Sequence, residues 1–113
     1  LLTGKHRLQD QPAEGSRFSK DLYRQRYWNP RMFEAVDALR AVAESERITL
    51  VELSLRWVAQ QRLTDAVLLG ASRLEQFDSN LAALQGPPLG EDVLRRCDEV
   101  WEQLDGAVPH YNR

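Results

Sequence analysis

The sequence lacks the features on which several classes of protein depend. Its 113 residues include one cysteine, Cys97, which excludes a disulfide framework and is typical of a reducing compartment. No apolar run approaches the roughly 20 residues that a membrane span needs, and no signal peptide precedes the first motif. We therefore expect a soluble, cytoplasmic protein with no membrane partner.

Excess positive charge and metal-ligand spacing are also missing. The 15 Lys and Arg residues nearly balance the 17 Asp and Glu residues, giving a net charge of -2, so we expect no nucleic-acid partner. Neither His6 nor His110 has Cys, Asp or Glu at metal-ligand spacing, so we expect no metal site. What remains is ordinary globular composition, with 42% hydrophobic and 28% charged residues.

Helical signals begin about a quarter of the way along the chain. Residues 1–31 show no helical or alternating period, so we predict a long loop after the apolar stub Leu1–Thr3. Asn29-Pro30 is a typical helix start, and Thr49 has capping-box spacing to Glu52. The predicted helices run over roughly 30–45, 49–61, 72–84 and 91–104, and Cys97 lies on the apolar stripe of the last one.

One segment, Asp65–Leu69, predicts a β-strand. Its continuous rather than alternating apolarity indicates a strand that is covered on both faces, as in a parallel sheet. Such a strand needs hydrogen-bonded neighbours, and the chain offers only the stub at Leu1–Thr3. The sequence therefore predicts an α/β fold in which this chain is the C-terminal piece of a larger protein.

The turn that follows this strand has the features of an anion site. Gly70 permits a tight turn, and Ser72 has capping-box spacing to Glu75 at the start of a helix. Helix N-termini attract anions, and Arg73 adds a cation suited to phosphate. Gln76 and Asn80, one and two turns further on, could meet an adenine or ribose. The alternative is that Ser72 merely caps the helix while Arg73 and Gln76 are solvated.

The segment Tyr23–Trp28 is unusually rich in aromatic residues and arginine. It contains three aromatic residues and two arginines in six positions, which we assign to a loop. It could hold a carboxylate or carbonyl substrate under an aromatic lid. Alternatively, Tyr27 and Trp28 pin the loop while the arginines lie in solvent.

Taken together, these motifs resemble the C-terminal third of aldo-keto reductases. The residues that carry the resemblance are Leu1-Leu2-Thr3-Gly4-Lys5, Val67–Ser72 and Glu75-Gln76 to Asn80. Within that superfamily, Tyr23–Trp28 and Pro109–Arg113 resemble the aflatoxin-aldehyde (succinic semialdehyde) reductase branch.

The resemblance implies a (β/α)8 barrel with its active site at the C-terminal ends of the strands. Residues 1–113 would be the C-terminal part of a single barrel domain. In order, they would form the end of strand seven, an extra helix, helix seven, strand eight, helix eight and a C-terminal extra helix.

The resemblance also implies an enzyme that reduces aldehydes or ketones with NADP(H). The implied cofactor contacts are Leu1, Leu2, Thr3, Gly4, Lys5, Arg17, Ser72, Arg73, Gln76 and Asn80, of which the last four would meet the adenosine 2′-phosphate and adenine. The implied substrate contacts are Tyr23, Arg26 and Arg113, whose arginines would hold a carboxylate. The connection between Arg17 and Tyr23 is shorter than the family pattern.

The family's catalytic Asp, Tyr, Lys and His would all lie upstream of Leu1, so we assign no catalytic residue here and expect the segment alone to be inactive. The expected partners are the aldehyde or ketone substrate, the rest of the barrel and, as an open possibility, a second copy in a homodimer.

Two other functions remain open. One is a non-catalytic helical module that buries Trp57 and Trp101 against a partner protein, and the predicted strand and anion turn argue against it. The other is a regulatory barrel like the potassium-channel β-subunits of the same superfamily. The Tyr23–Trp28 segment favours the reductase branch over that alternative.

Overall fold

Five α-helices and one 3-10 turn make up the regular structure of the part of the chain that the computed structural model describes, which is residues 1–10, 12 and 14–104. None of the helices in these ranges is long and apolar enough to cross a membrane. The elements in chain order are the 3-10 turn Arg17–Ser19, α1 Asp21–Tyr27, α2 Pro30–Ser45, α3 Leu50–Ala59, α4 Leu74–Leu84 and α5 Glu91–Gln103.

Side-chain caps begin α2 and α3 where the sequence predicts them. The Asn29 side chain accepts a hydrogen bond from the backbone N–H of Met32 at 3.1 Å. The Thr49 hydroxyl accepts one from the N–H of Glu52, also at 3.1 Å. Each cap satisfies a backbone donor that the first turn leaves unpaired. Both predicted helix starts are therefore confirmed.

The hydrophobic core lies between α2, α3 and α5. Helix α5 packs along α2. Cys97 is buried among the apolar residues of the core, as predicted. The spacing also predicts that Trp101 lies on the apolar stripe of α5, but Trp101 is 57% exposed. The buried core residues are Val36, Val42, Ala43, Leu50, Leu53, Leu89, Val93 and Cys97.

The predicted strand at Asp65–Leu69 does not form, and the described residues contain no β-strand at all. This segment joins α3 to α4 without regular structure, and Leu68 is 97% exposed. The stub Leu1–Thr3 forms a turn instead, closed by a 2.8 Å hydrogen bond from the N–H of Gly4 to the carbonyl of Leu1. A strand requires a hydrogen-bonded neighbour, and the described chain provides none for this run. The expected α/β character is therefore absent from the described residues, which are helical.

The prediction that residues 1–31 form a loop is wrong for Arg17–Tyr27, which form the 3-10 turn and α1. No Gly or Pro interrupts the chain between Gly15 and Pro30, so a helix is permitted. Phe18 is buried and anchors this region through its ring contacts. Because α1 is short and buries none of its own residues, its sequence carries no helical apolar period.

The start and the orientation of α4 also differ from prediction. Its N-cap is Arg73 rather than Ser72, and no side chain caps it. Ala83 is buried where α4 packs on α3. The spacing of Leu74, Phe77, Leu81 and Leu84 in the sequence predicts one buried apolar stripe, but the first three are exposed in the described structure. Only its last member, Leu84, is partly buried.

Candidate functional site

The N-terminus of α4 is an open group of hydrogen-bond donors. Arg73 has extended backbone angles, with φ -139° and ψ 149°, so the helix proper begins at Leu74. The first hydrogen bond of the helix runs from the N–H of Phe77 to the carbonyl of Arg73, at 3.2 Å. The three preceding N–H groups, on residues 74–76, therefore have no partner within the helix, and the positive end of its dipole meets solvent. Residues 71–79 are all exposed.

Arg73 is the free cation of this turn. Its guanidinium has no hydrogen-bond or ion-pair partner among residues 1–10, 12 and 14–104. Glu75, in the first turn of the same helix, adds one negative charge. The arrangement can bind an anion through backbone N–H groups and a guanidinium, which is a donor set suited to phosphate.

Ser72 does not have its predicted capping role. Its backbone N–H and its hydroxyl both donate to the side-chain oxygen of Gln76, at 3.3 and 3.1 Å. These two bonds tie the connecting segment to the first turn of α4, beside Arg73. Asn80 lies one turn beyond Gln76 and is half-buried. The four residues that we predicted for the adenosine end of the cofactor therefore lie on α4 or directly before it, and two of them, Ser72 and Gln76, are in contact.

The other predicted cofactor residues lie near α2. Gly4 has φ +70°, a left-handed conformation that favours glycine, and its carbonyl accepts a hydrogen bond from Nη2 of Arg40 at 3.1 Å. A Cβ atom on Gly4 would lie 3.3 Å from the same nitrogen. Leu1 packs against the core, so the turn Leu1–Lys5 is held at two points, by the core at Leu1 and by α2 at Gly4. Sequence reasoning missed Arg40, whose partner lies 36 positions away along the chain.

Lys5 is exposed, and Arg17 lies on the 3-10 turn before α1. The guanidinium of Arg17 lies over the ring of Tyr23, with its central carbon 5.4 Å from the ring centroid. A residue predicted for the cofactor and a residue predicted for the substrate therefore meet.

The aromatic residues of the 23–28 segment fall into two groups, one stacked on the surface and one packed against the N-terminal segment. Tyr23 and Tyr27 stack on the surface of α1, with centroids 6.2 Å apart, and Arg26 lies half-buried on the same helix. Trp28 follows α1, and its indole N–H donates to the carbonyl of Leu8 at 3.2 Å. Its ring also contacts His6, Phe18 and Phe33, so Trp28 holds the N-terminal segment against α2. The assignment of this segment to a loop is corrected, because 23–27 are helical.

The two groups of predicted cofactor residues stay separate. The helix α4 packs on α3, whereas the 3-10 turn packs on α1. Within the described ranges, no hydrogen bond, ion pair or ring contact joins Leu1–Lys5 or Arg17 to Ser72–Asn80. Arg113 lies outside the described residues. In the same part of the chain, no group of three or more His, Cys, Asp or Glu is placed to hold a metal ion.

Comparison with known proteins shows the family. The model of the aldo/keto reductase family matches residues 1–102, so the chain belongs to that family. Aflatoxin B1 aldehyde reductase member 2 of Rattus norvegicus is 34% identical over 128 residues, covering 100% of this chain and 35% of the rat protein. An aldo-keto reductase of Pseudocercospora fijiensis is 33% identical, covering 98% of this chain and 41% of that protein. Aldo-keto reductase pigE of Monascus ruber is 32% identical, covering 99% of this chain and 37% of that protein.

The chain is shorter than these relatives. It spans between 35% and 41% of the length of the three proteins named above. The match to the rat protein extends over 128 positions and so exceeds the 113 residues of this chain by 15. That a shortening lies between Arg17 and Tyr23 stays a prediction. Family membership implies a (β/α)8 barrel, of which the described residues show only helices.

Proposed function

We propose that this chain is the C-terminal part of an aldo-keto reductase that uses NADP(H) to reduce aldehydes or ketones to alcohols. The observation that carries the proposal is the free Arg73 at the uncapped N-terminus of α4. Membership of the aldo/keto reductase family supports an oxidoreductase. The role of this segment would be to hold the adenosine 2′-phosphate and to clamp the substrate.

The donor set at α4 fits a phosphate. Three backbone N–H groups, on residues 74–76, have no partner within the helix, and the Arg73 guanidinium can form two parallel hydrogen bonds to phosphate oxygens. The bonds from Ser72 to Gln76 brace the chain on which Arg73 stands. Glu75 would repel the same anion, so binding depends on the arginine.

NADPH, when bound, supplies the hydride for carbonyl reduction. The residues of this chain would bind and orient. Tyr23 and Arg26 on α1, together with Arg113, are proposed to contact the substrate, with the two arginines holding a carboxylate. We assign no proton donor to this chain. The whole enzyme is proposed to act in the cytoplasm.

The test compares the two nicotinamide cofactors in the full natural protein. NADPH has the 2′-phosphate that NADH lacks, and a charge-assisted hydrogen bond is worth roughly 1.5–3 kcal/mol. Arg73→Ala should therefore weaken NADPH binding by about ten- to a hundredfold and leave NADH binding nearly unchanged. Titration followed by tryptophan fluorescence measures both dissociation constants.

Arg62→Ala is the matched control, because Arg62 is another exposed arginine outside the described helices. It should change neither constant. An equal loss for both cofactors, or no loss in Arg73→Ala, would contradict the proposed 2′-phosphate contact. Failure of the natural protein to bind either cofactor would favour the helical interaction module.

A further inference from the structure

Arg17 and Tyr23 stand on one continuous hydrogen-bonded backbone. The N–H of Lys20 donates to the carbonyl of Arg17 at 3.4 Å, and the N–H of Tyr23 donates to the carbonyl of Lys20 at 3.1 Å. The buried Phe18 ring anchors the 3-10 turn against His6 and Trp28. With the backbone held in this way, the Arg17 side chain can leave or return to the Tyr23 ring without rearrangement of the fold.

The ring is the one partner that holds the Arg17 guanidinium in the described structure. Arg17 is exposed and lies 5.4 Å from the ring centroid. The ion pairs in the described ranges belong to Arg40, Arg56 and Arg95, so no described carboxylate neutralises Arg17.

These contacts differ in strength from those that an anion would offer. An exposed cation–π contact changes an equilibrium by about two- to fivefold. A charge-assisted hydrogen bond to a phosphate oxygen is stronger than an exposed cation–π contact. A phosphate that reaches the exposed Arg17 would therefore draw its guanidinium away from the ring.

We propose that Arg17 is a cofactor-binding residue that exchanges the Tyr23 ring for a phosphate of the cofactor, and that this exchange uncovers the ring for the substrate. The inference rests on the proposed function. Cofactor and substrate sites are then coupled through one side chain. Because the ring competes with the phosphate for Arg17, Tyr23 would oppose cofactor binding without touching the cofactor.

A double-mutant cycle in the full natural protein tests the exchange. Tyr23→Leu removes the competing ring and should tighten NADPH binding by about two- to fivefold. Tyr23→Phe keeps a ring under the guanidinium and should stay within about twofold of the wild type. In an Arg17→Ala background, Tyr23→Leu should leave the NADPH dissociation constant unchanged, because no guanidinium remains to be released.

The readouts are the dissociation constant from fluorescence titration and the melting temperature without cofactor. Tyr23 also stacks on Tyr27, so Tyr23→Met is a second ring-free variant, with an unbranched helix-forming side chain, in case Tyr23→Leu does not fold. The proposal is overturned if the ring-free variant binds NADPH no more tightly than the wild type, or gains equally in the Arg17→Ala background. Failure of wild-type binding, or a silent Arg73→Ala, would instead remove the proposed function.

Discussion

At the scale of single residues, His6 shows how packing changes the pKa of a side chain. Its ring lies edge-on to Phe18 and Trp28, at centroid distances of 5.1 and 5.5 Å. Desolvation lowers the pKa of His6, the charge of Lys5 lowers it further, and Asp10 opposes them. The fold therefore favours the neutral imidazole.

This shift predicts a loss of stability in mild acid. An unfolded histidine titrates near pH 6.5, and the folded value is lower. The contribution of neutral His6 is therefore fully present above about pH 6.5 and lost as the pH falls through the folded pKa. Melting temperatures of the natural protein and His6→Gln, measured between pH 7.5 and 5, should converge as the pH falls. Parallel curves would show that His6 titrates alike in both states.

The roles of single residues could be predicted where the sequence pattern that indicates them is local. Asn29 and Thr49 cap the helices that follow them, and Cys97 is buried on its apolar stripe. The bond from Arg40 to Gly4 and the placement of Arg17 on Tyr23 have no local signal, because they depend on how separate segments pack.

At the scale of elements, α3 and α4 begin with the same capping-box spacing and fold differently. The first turn of α3 is anchored by the buried Leu50, so the Thr49 cap has a fixed helix to complete. Residues 71–79 are all exposed, so no packing fixes the corresponding turn of α4, and Ser72 bonds to Gln76 instead. A capping box therefore predicts a helix start well only where tertiary packing holds the first turn.

This difference predicts unequal effects of two similar substitutions. Thr49→Ala removes a cap and should lower the free energy of unfolding by about 1 kcal/mol. Ser72→Ala removes no cap and should lower it by less than about half of that. Denaturant unfolding of the natural protein measures both values. Ser54→Ala is the control, because the Ser54 hydroxyl bonds back to the carbonyl of Leu50 within α3. A loss for Ser72→Ala as large as that for Thr49→Ala would contradict the structure.

At the scale of the whole molecule, apolar surface is concentrated around the segment that the sequence marks as a strand. Leu63 and Leu68 are 94% and 97% exposed, and Leu74 on α4 is 70% exposed. Continuous apolarity at Asp65–Leu69 indicates burial on both faces, which the described helices do not provide. The helices could be predicted because their signals lie within the chain. The strand depends on neighbours that the described residues do not supply. A (β/α)8 barrel, the fold that the family implies, would bury this surface.

The last prediction concerns residues 1–113 expressed alone. With these leucines and Phe77 exposed, the isolated chain should self-associate, bind a hydrophobic dye and melt without a sharp transition. Phe77→Glu should reduce self-association of the isolated chain but destabilise the full natural protein by about 2 kcal/mol or more, because the charge would be buried there. Ala82→Glu adds the same charge at another exposed position of α4 and should do neither. A cooperative melt of monomeric 1–113, with Phe77→Glu harmless in the full protein, would mean that this surface faces water and would favour a self-sufficient helical module.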